Sequence, residues 1–140
     1  MATTANANVS GMIAIRGVDG KYMKVTSTEG LEFGTQKLDD TAKFEVQKHT
    51  DGKVSLKGSN GKIVNMYYID DVKCAGPGGG VSFGIVYLAQ GMVNFTVTGY
   101  QGQDGRTRYL SSQAGGESYN GSLAVKEYED FTCRFTIQNL

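Results

Sequence analysis

Three times along this chain the same short phrase of apolar alternation returns. Ile13-x-Ile15, Val54-x-Leu56 and Phe95-x-Val97 each open a block. A turn then leads into Gly20-Lys21-Tyr22-Met23, Gly61-Lys62-Ile63-Val64 and, displaced by an insertion, Thr107-Arg108-Tyr109-Leu110. Leu31-x-Phe33, Val72-x-Cys74 and Leu123-x-Val125 follow. Phe44-x-Val46, Phe83-x-Ile85 and Phe135-x-Ile137 close the blocks. A recurrence at roughly 40 residues is the mark of a repeat architecture. One such unit cannot bury its apolar face alone, whereas three packed together can.

Within each block the period is two, which is the signature of half-buried strands. Twelve strands are predicted, over about 12–17, 21–27, 31–36, 43–49, 53–58, 62–68, 71–75, 81–88, 92–99, 107–113, 122–128 and 133–139. Asp19-Gly20, Asp51-Gly52 and Asn60-Gly61 supply the positive φ that tight hairpin turns need. The one proline, Pro77, falls in the Gly76–Gly80 connection, where it removes no ladder hydrogen bond. The expected fold class is therefore all-β, a β-trefoil with twelve strands in three pseudo-repeats. In that fold six strands close a short barrel and three hairpins cap one end, which leaves no exposed sheet edge. A single domain is expected over residues 11–140, in units of about 11–50, 51–90 and 91–140, behind a disordered leader at 1–10.

Charge narrows the function classes. Lys+Arg and Asp+Glu number 14 each, so no long-range field recruits nucleic acid or an anionic membrane. Cys74 and Cys133 fall in strand-like patterns, and two buried free thiols are expected in preference to a disulfide. The only histidine is His49, and neither cysteine sits in a Cys-x-x-Cys spacing, which leaves no Cys/His zinc site. No cofactor is expected. The first residues carry neither a basic start nor an apolar run, so a signal peptide is not expected and a reducing cytoplasm is. No stretch is long enough to insert across a bilayer as a helix. Asn8, Asn94 and Asn120 head glycosylation triplets, of which Asn94 lies inside a predicted strand.

The stretch "KVSLKGSNGKIV" (53–64) resembles the opening hairpin of fascin and hisactophilin repeats, and "GKYM" (20–23) and "RYLSS" (108–112) echo it. "LDDTAKFEVQKHTDGKVSLKGSNGKIV" (38–64) is similar to the agglutinin domain of amaranthin-type lectins. These resemblances cover nearly the whole chain and rest on fold-determining positions. They imply a β-trefoil, and either glycan binding or binding to actin filaments. The Gln-x-Trp signature of ricin-type lectins is absent, and the chain has no tryptophan.

Catalysis finds little support in these residues. His49 stands beside Asp51 in a turn. Asp39-Asp40, Asp70-Asp71 and Glu129-Asp130 are adjacent carboxylates expected in solvated hairpin turns, whereas acid–base chemistry needs two carboxyls held across a cleft. Gly78-Gly79-Gly80 has no following lysine and no helix, so it is not a phosphate loop.

Binding fits better. Three loop clusters join aromatic and polar groups: Tyr67-Tyr68-Ile69-Asp70-Asp71, the insertion Tyr100–Arg106, and Gln113–Gly121. The expected ligand residues are Tyr68, Asp70, Asp71, Tyr100, Gln103, Asp104, Arg106, Tyr119 and Asn120. An aromatic face covers the C–H patch of a sugar ring while carboxylates and amides bond its hydroxyls. Alternation places one of Tyr67 and Tyr68 in the core and the other outside. The second and third clusters share a unit and are expected to lie close together. A glycan or glycoprotein is the expected partner, with homo-oligomerisation as one route to avidity. The competing partner is an actin filament, met by Lys21, Lys24, Lys37, Lys43, Lys48, Lys53, Lys57 and Lys62. Net neutrality counts against that contact.

Overall fold

The computed structural model describes residues 8–76, 81–98, 105–116 and 121–140. Twelve strands run in order: β1 (Met12–Arg16), β2 (Tyr22–Val25), β3 (Leu31–Thr35), β4 (Phe44–Lys48), β5 (Val54–Lys57), β6 (Ile63–Tyr68), β7 (Asp71–Gly76), β8 (Gly84–Tyr87), β9 (Met92–Thr98), β10 (Thr107–Ala114), β11 (Leu123–Lys126) and β12 (Phe135–Asn139). Every pairing is antiparallel, and the sheet closes on itself where β12 meets β1. A shorter circuit runs inside it. β1 pairs β4, β4 pairs β5, and β5 reaches β8 through the Val54–Phe83 bridge. β8 then pairs β9, β9 pairs β12, and β12 returns to β1. The hairpins β2–β3, β6–β7 and β10–β11 stand off this circuit.

The repeated apolar pairs fill the interior. Phe44, Phe83, Phe95 and Phe135 are fully buried, with Ile13, Ile15, Leu56, Leu110 and Leu123 around them. Phe33, Ile85 and Ile137, the second members of their pairs, are partly buried against the same cluster. Val9, which falls in the stretch expected as a disordered leader at 1–10, is a core residue, and residues 1–7 of that stretch lie outside the described residues. Asn139 Nδ2 donates to the Asn8 carbonyl at 2.7 Å and ties this segment to the end of β12.

The expected Asp-Gly and Asn-Gly turns form. At β4–β5, Lys53 N donates to Asp51 Oδ1 at 3.0 Å while Gly52 takes φ 85. Asp19 and Asn60 repeat the side-chain bond to Lys21 N and Lys62 N, each at 3.1 Å.

Among the described residues, three 3-10 turns interrupt what the alternation gave as strand or hairpin: Asp40–Ala42, Ala89–Gly91 and Phe131–Cys133. Asp39 and Asp130 are therefore cap residues rather than hairpin-turn residues. Each accepts a backbone N–H two residues on, from Thr41 and Thr132, at 2.9 Å. Cys133 belongs to the last of these turns and not to a strand. Cys74 and Cys133 are buried free thiols.

Candidate functional site

The hairpin β6–β7 positions the first cluster. Its register runs Val64 opposite Cys74 and Met66 opposite Val72, then shifts so that Tyr68 faces Asp71. The extra residue in β6 is a bulge, and a bulge re-aims the side chains beside it. As a result Tyr67, Tyr68 and Ile69 are all exposed, at 38%, 52% and 43%. This corrects the expectation that one tyrosine lines the core. Lys73 Nζ stands 5.1 Å from the Tyr67 ring centroid and 3.8 Å from Asp71 Oδ2.

The turn is held from below by β10–β11. Val125 N donates to the Ile69 carbonyl at 2.7 Å, and Ser122 Oγ donates to the Asp70 carbonyl at 3.1 Å. Gly115 N donates to the Ser122 carbonyl at 2.8 Å, which brings Gly115 and Gly116 under Asp70. Asp70 of the first cluster and Gly115 and Gly116 of the third therefore meet and form a lip, while the expected approach of the second cluster to the third falls on residues 100–104 and 117–120, outside the described residues. Asp70 is half-buried. Asp71 is only 5% exposed, a wall residue rather than an open acceptor. Among the described residues, Oδ1 of Asp70 and Oδ1 of Asp71 are enclosed with no hydrogen-bond donor.

Arg106 lies away from this lip. It precedes β10 at the end opposite Ala114 and pairs with Glu127 Oε2 at 3.6 Å. Tyr100, Gln103, Asp104, Tyr119 and Asn120 lie outside the described residues.

A cleft of about 580 Å³ was not legible in the sequence. Lys24, Thr26, Glu29, Glu32, Thr41 and Asn60 line it. Glu29 holds φ 67, an uncommon backbone for a residue with a Cβ, and ion-pairs with Lys62. Its carbonyl accepts Cys74 N at 2.9 Å. The cleft joins residues far apart in the chain and, among the described residues, offers no aromatic ring. The only hint in the sequence is the hydroxyl run Thr26-Ser27-Thr28 before Glu29-Gly30.

His49 Nε2 lies 2.7 Å from Ser55 Oγ. Ser55 is 2% exposed in β5, which shuts its hydroxyl away from a substrate. Asn94, the second sequon residue, is 2% exposed and donates to the Cys133 carbonyl at 2.9 Å. The Thr41 hydroxyl and amide hold Asp39 below the ordinary carboxylate value. At Asp130 the bond from Lys126, then that from Thr132, pulls the carboxyl down to about 2.

No protein-family model matches this chain, and no curated protein matches its sequence. Solved structures do match its fold. The designed three-fold symmetric protein ThreeFoil superposes with a TM-score of 0.72 at 14% identity, over 94% of this chain and 100% of the other. SeviL, bound to asialo-GM1 saccharide, gives 0.71 at 15% identity, over 94% and 98%. A GlcNAcα1-4Gal releasing endo-β-galactosidase from Clostridium perfringens gives 0.69 at 18% identity, over 92% of this chain. The chain spans 32% of that enzyme's length. At these identities the likeness shows the fold, an all-β trefoil-like barrel, and leaves function to the residues.

Proposed function

We propose that this chain is a non-enzymatic, carbohydrate-binding β-trefoil built from three pseudo-repeats. The inner circuit β1–β4–β5–β8–β9–β12 with three outlying hairpins supports the repeat layout. The matched caps Asp39–Thr41 and Asp130–Thr132 support it too. The binding residues are Tyr67, Tyr68 and Asp70.

The observation that carries the reading is the bulge in β6. Strand alternation would hide one of two adjacent tyrosines, and here both rings are exposed, close in the chain to the half-buried Asp70. A ring covers the C–H face of a sugar, and Asp70 accepts hydroxyl donors beside it. SeviL, with the same fold, is bound to a saccharide. The filament reading draws less support, because several lysines are already matched. Lys24 faces Glu32, Lys43 faces Asp40 and Lys62 faces Glu29. A single shallow site of this kind binds at millimolar to tens of micromolar, about 4–6 kcal/mol.

A glycan array followed by calorimetry tests the proposal. A related set of glycans should bind, Tyr68→Ala should weaken them about tenfold, and salt should change little. An empty array, or binding untouched by Tyr68→Ala and Asp70→Asn, would sink the proposal. Actin in the pellet of the same sample, lost at high salt, would transfer the function to the lysines.

A further inference from the structure

The end of the barrel remote from the hairpins holds a second candidate site. β4 and β8 both finish there, and the turn from β4 into β5 crosses it. A cavity of about 290 Å³ opens between them, lined by Asn8, Lys48, His49, Gly52, Ile85 and Tyr87. This is the low end of small-molecule pocket sizes, room for one ring.

Its chemistry is opposite to that of the lip. Tyr87 ends β8 with 56% of its surface exposed and supplies an aromatic face. Ile85 and Val54 give an apolar floor. Lys48 ends β4 and brings an ammonium, with no carboxylate in ion-pair range among the described residues. His49 opens the turn, and its ring is fixed by the bond between Nε2 and Ser55 Oγ at 2.7 Å. The nearest acid in the turn, Asp51, is directed into it, with Oδ1 accepting Lys53 N. Among the described residues, no acidic side chain lines the cavity.

We infer that this cavity is a second binding site, for a hydroxylated ring that carries an anionic group, a carboxylate or a phosphate. Tyr87 covers the ring and Lys48 faces the anion, with the His49 imidazole as a further donor. The lip, with Asp70 and Asp71, would repel such a ligand, so the two sites divide neutral from acidic saccharides.

The test is a ¹H–¹⁵N NMR titration of the full chain with D-glucuronate, D-glucose 6-phosphate, D-glucose and inorganic phosphate in turn. Saturable shifts at Lys48, His49, Gly52 and Tyr87 are expected with the two acidic sugars and not with glucose. Glucuronate against the phosphorylated sugar tells which anion is preferred. Lys48→Gln should weaken binding about fivefold, the scale of one exposed charge contact. Tyr87→Ala should do the same without unfolding the chain, because the ring is exposed. Tyr68→Ala should leave these shifts unchanged, which keeps this site separate from the lip. Absence of shifts overturns the inference. So does inorganic phosphate binding as well as the sugar phosphate and regardless of Tyr87→Ala, since the site would then be an ion contact only.

Discussion

Gly115 passes so close beneath Asp70 that a Cβ there would lie 2.1 Å from the Asp70 carbonyl oxygen. The same atom would lie 2.4 Å from Ser122 Oγ, the group that donates to that carbonyl. Only a glycine lets the β10–β11 hairpin support the tyrosine-bearing turn. Gly115→Ala must therefore separate two hairpins, at a cost of about 2 kcal/mol or more in urea unfolding. Gly116→Ala meets Asp70 Oδ2 at 2.5 Å, a side-chain atom that can turn aside, and should cost less. Equal costs at the two positions would show that the hairpins are not locked together.

What was readable in the sequence and what was not divides along physical lines. All twelve strands were legible, because apolar alternation repeats locally and needs no knowledge of partners. Their ends moved by up to about three residues, most of them inward, since hydrogen-bonded pairing and apolar alternation do not stop at the same residue. The 3-10 turns were missed because three residues are too few to show a period. Val9 was missed because one valine in a polar leader has no rhythm. At the lip, the place of Tyr68 and Asp70 at the β6–β7 turn was legible from the strand pattern. The exposure of Tyr67 was not, because a bulge is a property of the pairing between β6 and β7. The burial of Asp71 follows from the same pairing.

Asp130 gives the chain an acid-sensitive bond. Its carboxyl is pulled down to about 2 from 3.8, first by the bond from Lys126 and then by that from Thr132. A carboxylate depressed in the folded state stabilises that state above its ordinary value. The contribution is lost as pH falls through the folded value. The stability gap between wild type and Asp130→Asn should therefore be constant above about pH 5 and close toward pH 2. Thermal melts across that range check it, and a gap that widens on acidification would reverse the assignment.

Phe135 joins two parts of the core. It stacks on Phe33 at 5.4 Å between centroids and meets Phe95 at 5.9 Å. Phe135→Ala should cost about 3–5 kcal/mol through lost transfer and the cavity left behind. Phe131, four residues earlier and 62% exposed, should cost under about 0.5 kcal/mol when changed to alanine. Chemical denaturation of the two variants separates barrel closure from surface decoration.

The thiols report on how tightly the cap closes. Cys74 is wholly buried, and its Sγ lies 3.2 Å from the Lys62 carbonyl and 3.5 Å from Asn60 Oδ1. Burial pushes its pKa up to about 11 from 9.0. Burial also raises Cys133. A thiolate is the nucleophile. At pH 8 an ordinary thiol is about one-tenth ionised, and Cys74 only about one-thousandth, so chemistry alone slows it about a hundredfold. Enclosure slows it further. The native chain should leave Ellman's reagent unreacted on the timescale in which urea-unfolded chain consumes two equivalents. Fast native release of one equivalent would mean that a thiol reaches solvent without global unfolding. If the reactive residue were Cys74, the contact between its amide and the Glu29 carbonyl would be opening, and the cleft beside Glu29 would open with it.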